Sequence, residues 1–179
     1  MNRRRTIEIA IITTMCVVLI ALCVLLVIPA NAEETPYSRE DAMALAQMAW
    51  GEYRPTETPE DKQQCAAAMW CVCWRQMAGS KAGFRDTIKG VCAQKWQFLG
   101  YSATNPVTEE HLALAEDVLS RYHRYLAGET LEEVGAAIPP DYLWFVGNGK
   151  VNTFRNAYRG GNTWTWTLGN PYQEGDGDV

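Results

Sequence analysis

Histidine is nearly absent from this chain. His111 and His123 are the only two in 179 residues, twelve positions apart in one helical pattern. A catalytic zinc takes about three protein ligands, commonly histidines, so zinc hydrolysis is not expected, and no metal or other cofactor is called for. A nucleophilic thiol also needs an activating base. Cys92 is the best-placed thiol, but neither histidine lies beside a motif, which disfavours a cysteine peptidase. Positive charge is scarce as well. Residues 1–32 hold three Arg and one Glu, leaving 13 basic against 20 acidic residues beyond them, a net charge of about −7. No basic stripe remains to neutralise phosphates, so nucleic acid is not an expected partner. No internal repeat is present.

Apolar residues, by contrast, make up 47% of the chain, enough for one domain with a real core plus an appendage. The appendage is N-terminal. Arg3, Arg4 and Arg5 precede an uncharged apolar run over residues 9–28. The run is about long enough to span a bilayer as a helix, and the arginines predict a cytoplasmic N-terminus. Ala30, Asn31 and Ala32 have the small-x-small form of a signal-peptidase site. Residues 1–32 therefore read as either a cleaved signal peptide or a retained membrane anchor. Both place the remainder outside the cytoplasmic membrane, secreted or tethered through the N-terminal segment.

Cys16 and Cys23 fall in the apolar run, leaving Cys65, Cys71, Cys73 and Cys92. Cys65 and Cys73 are two turns apart on one predicted helix, about 12 Å, which is too far to bridge. Cys92 can pair with one helix cysteine, or all four can serve as small buried hydrophobes.

Residues 33–38 read as a linker, 39–172 as the folded domain and 173–179 as an acidic tail without structure. Ser38 with Asp41 opens a helix that runs to about Arg54 before Pro55. Thr58, Pro59, Glu60 and Asp61 form a strong helix start, and that helix runs to about Met77 with Cys65, Met69, Val72, Cys73 and Gln76 on its inner face. Asp86 is expected to cap a short helix over 87–92. Thr108 caps a third long helix with Leu112, Ala115, Leu119, Tyr122 and Leu126 on one stripe, and 130–134 adds one turn. The period then changes. Residues 142–146 and 151–155 read as strands joined by a turn at Asn148 and Gly149. Residues 163–168 alternate strictly, predicting a strand with Trp164, Trp166 and Leu168 on one face. The fold class is α+β: a helical lobe, then a small antiparallel sheet.

Glu52 is the most informative residue. Leu45, Met48, Ala49 and Glu52 share one helical face, so a carboxyl is aimed at the apolar side; the alternative is a helix-terminal Glu on the surface. Burial favours the neutral form of a carboxyl, and a protonated carboxyl can act as a general acid.

Three features in order, AWGEYR over residues 49–54, an alanine-rich helix, and GVCAQKWQF over 90–98, resemble the cell-wall hydrolase family typified by the spore cortex-lytic enzyme. Its members carry a Y-G-E-A-R-like helix end, an alanine-rich helix and a V-x-x-Q…Q-F loop. The likeness spans about residues 40–160. It implies a lysozyme-like helical lobe with peptidoglycan glycan strands as substrate. It makes Glu52 the catalytic acid/base and puts Gln97 and Phe98 in the substrate groove. The chain departs from the pattern at Tyr53, Trp74 and Leu99.

Glycosidic hydrolysis commonly uses a second carboxylate. Glu60 and Asp61 are first-turn helix acids, and Glu57 is a loop acid. With one carboxylate the expected chemistry is that of a lytic transglycosylase, with a muramidase next. Trp50, Tyr53, Trp96, Phe98 and Tyr101 are expected to wall the cleft as sugar-binding faces. Trp70 and Trp74 read as packing, and Trp164 and Trp166 as packing of the sheet on the helices. The alternative is a non-catalytic, membrane-tethered peptidoglycan-binding protein. A wall amidase or peptidase is less favoured.

Overall fold

Thr58 fixes the start of the longest helix. Its hydroxyl accepts the Asp61 N–H at 3.1 Å, the Asp61 carboxylate answers at the Thr58 N–H, and Pro59 fills the first turn. The computed structural model describes residues 35–147 and 151–173. Within them lie α1 (Arg39–Glu52), α2 (Pro59–Ala78), a 3₁₀ turn (Ser80–Ala82), α3 (Ile88–Cys92), α4 (Glu109–Leu126), α5 (Leu131–Val134), β1 (Trp144–Gly147) and β2 (Asn152–Arg155). The fold is α+β, helices followed by one two-stranded antiparallel sheet. The apolar run over 9–28, the Ala30–Ala32 site, the Asn148 and Gly149 turn and the tail beyond Gln173 lie outside the described residues. Among the described residues no helix is long and apolar enough to cross a membrane.

Helix α2 is the hub. Every residue from Cys65 to Arg75 is buried, the signature of a helix covered on all sides. Ala66, Ala67 and Ala68 let neighbours approach closely. Trp70 and Trp74 stack at 4.7 Å, and Tyr122 of α4 meets both edge-on. Rings buried like these each contribute on the order of 2–3 kcal/mol. The segment before β1 is sewn to α2: Trp74 Nε1 donates to the Ile138 carbonyl at 3.0 Å and Cys71 Sγ to that of Tyr142 at 3.3 Å.

Three sequence expectations change. Asp86 does not cap α3; Thr87 does, and Asp86 instead accepts the Ser80 N–H at 3.2 Å. Residues 163–168 are not a strand. One bridge, Arg155 to Thr163, replaces a ladder, and Trp166 takes a left-handed backbone (φ 57°) that ends any extension. The side-chain alternation survives, with Trp164, Trp166 and Leu168 half-buried and the threonines between them exposed. Leu126 ends the α4 stripe exposed.

Cys65, Cys71, Cys73 and Cys92 are free and buried. Burial pushes the thiols of Cys65 and Cys71 up to about 12 and those of Cys73 and Cys92 higher than their ordinary value too. In the unfolded chain a thiol ionises near 9, so above that pH the unfolded state binds fewer protons than the native one. Stability should be intact below pH 9 and fall as pH rises toward 12, by on the order of 1 kcal/mol per pH unit per thiol. Urea melts between pH 7 and 11 check this, and a flat profile would contradict it.

Candidate active site

Two glycines build the site. Where α1 ends, its backbone crosses the loop that follows α3. A Cβ on Gly51 would stand 1.9 Å from the Gly100 carbonyl oxygen, and one on Gly100 2.2 Å from that of Gly51. No other residue fits either position. The crossing brings the Gly100 N–H to Glu52 Oε1 at 2.7 Å. Asn105 holds the far side, donating to the carbonyls of Gly100 at 2.7 Å and Gln47 at 2.9 Å. Glu52 Oε1 is thereby fixed, while Oε2 has no hydrogen-bond partner among the described residues.

Glu52 is half-buried and opens onto a cavity of about 780 Å³ between the helical lobe and the sheet. It is not sealed among apolar side chains, as its helical face suggests. Behind it lies Arg75, 3% exposed. Its Nε donates to the Leu143 carbonyl at 2.7 Å and Nη1 to Gln97 Oε1 at 3.0 Å, and its guanidinium lies 4.5 Å from the Phe98 ring centre. Burial lowers the Arg75 pKa from its ordinary value, opposed by nearby groups that include Cys71 and Glu52. One side chain thus joins α2, the residues ahead of β1 and the 94–100 loop.

Trp96 stands over this cavity, 77% exposed, with a left-handed backbone (φ 68°) that a bulky residue rarely adopts. Lys95 lies 5.2 Å from its ring centre. Across the cavity the sheet supplies Trp144, Phe145 and Arg155, followed by Tyr158. Among the described residues, Glu52 is the one carboxylate on the lining.

Of the residues singled out in the sequence, Glu52, Trp96 and Gln97 meet at the cavity. Phe98 is buried beneath Arg75 as its floor. Trp50, Tyr53 and Tyr101 do not line it. Trp50 packs edge-on against His111 at 5.5 Å, and the Tyr53 hydroxyl donates to Asp61 at 2.9 Å. Tyr101 is half-buried against the core. Glu57 is exposed and turns back to the Thr56 N–H. No group of three or more potential metal ligands occurs among the described residues.

Arg75, Trp144, Arg155 and Tyr158 were not singled out in the sequence. Arg75 left a signal, a lone charge at the end of the buried run from Cys65. Replacing it by Met strands the Leu143 carbonyl and Gln97, which should cost about 2–4 kcal/mol. A lysine has too few fixed donors to restore both bonds. Thermal melts of Arg75→Met and Arg75→Lys check this: both should fall by roughly 5–12 °C, and an unchanged midpoint for Lys would contradict the two-bond role.

The resemblance to cell-wall hydrolases rests on the motifs alone, since no family model, curated protein or solved structure matches the chain.

Proposed function

We propose that the protein is a peptidoglycan-degrading enzyme that cleaves the glycan strand as a lytic transglycosylase, with Glu52 as its single acid/base and the helical part as a lysozyme-like lobe. The observation that carries this proposal is the lining itself: one carboxylate, held by a backbone N–H and free at Oε2, in a cavity walled by aromatic faces. Sugars stack on such faces, and the exposed Trp96 ring suits a pyranose.

Acting first as the acid, Glu52 gives a proton to the glycosidic oxygen after the muramoyl C1. The C1–O bond breaks and its electron pair leaves with that oxygen. The carboxylate then takes the proton of the muramoyl 6-hydroxyl as that oxygen closes on C1, forming a 1,6-anhydro ring. Glu52 ends protonated, and no water is consumed. Arg75 offsets the negative charge on Glu52 between the two transfers. No cofactor enters the cycle. The N-terminal segment places the domain outside the cytoplasmic membrane, next to its substrate.

The test is solubilisation of purified peptidoglycan by the protein. Release of soluble muropeptides is expected. Tight binding without release would favour instead a tethered binding protein, for which the exposed Trp96 and Tyr158 rings would serve equally well.

A further inference from the structure

We infer that Arg155 makes this cavity selective for glycan strands bearing carboxylates over neutral ones, an inference that rests on the cavity being the glycan site.

Strand geometry aims the side chain. Successive residues of β2 face opposite sides: Phe154 is 1% exposed in the core, and Arg155, next along, lines the cavity with its cross-strand partner Trp144. Arg75, the other cation on the lining, is committed to Leu143, Gln97 and the field of Glu52. Arg155 has no ion-pair or side-chain hydrogen-bond partner among the described residues, although it is half-buried. Among the described residues the charged lining is thus two arginines against one glutamate, a positive cavity in a chain of net charge −5. A cleft whose sign opposes the rest of the surface concentrates anions. A guanidinium matches a carboxylate through two parallel hydrogen bonds. On peptidoglycan such groups belong to the stem peptide, or to the lactyl ether where no peptide is attached.

The experiment measures co-sedimentation of the Glu52→Gln protein, alone and with Arg155→Gln or Arg155→Lys added, on three insoluble walls. One is native, one has its stem peptides removed, and one has its carboxylates amidated. On native wall, Arg155→Gln should weaken binding about tenfold or more, and Arg155→Lys should retain part of it. On amidated wall the three proteins should bind alike. An Arg155 effect that persists on stripped wall assigns the lactyl carboxylate, and one that disappears there assigns the stem peptide. Equal weakening on native and amidated wall, no weakening, or no binding to native wall overturns the selectivity. Binding that depends on Arg155 without wall solubilisation by the unmutated protein would sink the cleavage proposal alone. Cleavage indifferent to Arg155 would sink only the selectivity.

Discussion

Glu52→Gln is expected to lower the rate of peptidoglycan cleavage by about a thousandfold while leaving the fold intact. The amide keeps the shape of the carboxyl, and its oxygen can still accept the Gly100 N–H, now held at 2.7 Å. What it loses is the transferable proton. General acid/base groups contribute about 10²–10⁴ in rate, and Glu52 would serve as both acid and base. The lining offers no second carboxylate among the described residues to take over. The melting curve should fall by no more than about 1 kcal/mol, since the Gly100 hydrogen bond and both Arg75 hydrogen bonds are kept and only the field of Glu52 on Arg75 is lost. Activity within a few fold of the parent would remove Glu52 from the chemistry, and a collapsed melt would make it structural.

The second large effect is expected at the glycine crossing. Gly51→Ala and Gly100→Ala each force a methyl against backbone that has no side-chain freedom to yield, at 1.9 and 2.2 Å. Overpacking of this kind costs about 1–3 kcal/mol or more. Relief comes only by separating the loop from the end of α1, which carries the Gly100 N–H away from Glu52 and shifts Trp96 and Gln97 with it. Misplacement by about 1 Å can cost about a hundredfold in rate, so activity should fall by at least that much. Because both substitutions open one crossing, the double variant should lose little more than either single one. Gly169→Ala is the control: nothing stands within 4 Å of its Cβ position, and it should change neither property. Full activity in Gly100→Ala would mean that the loop does not position Glu52.

Much of the helical part was legible because helix starts are local. Ser38, Thr58, Thr108 and Thr130 each cap the helix that follows them, and each does so with atoms three residues away. Residues 163–168 misled because alternation specifies a buried face, not a hydrogen-bonded partner. The face formed, but β2 is four residues long and offers this segment one bridge. Of the residues the motifs point to, Glu52, Trp96 and Gln97 share the cavity lining. Proximity in sequence was a poor guide to the rest. Each helical step turns a side chain by about 100°, so Trp50, two steps before Glu52, meets His111 rather than the cavity. Arg155 and Tyr158 join Glu52 on one cavity lining only through packing between segments about a hundred residues apart, which no local pattern records.

The most direct test of the central claim is mass spectrometry of the soluble products from purified peptidoglycan treated with the protein and, in parallel, with Glu52→Gln. Muropeptides ending in 1,6-anhydromuramic acid from the unmutated protein alone are the predicted result. Products with reducing ends, or the same products from Glu52→Gln, would contradict a single-carboxylate transglycosylase centred on Glu52.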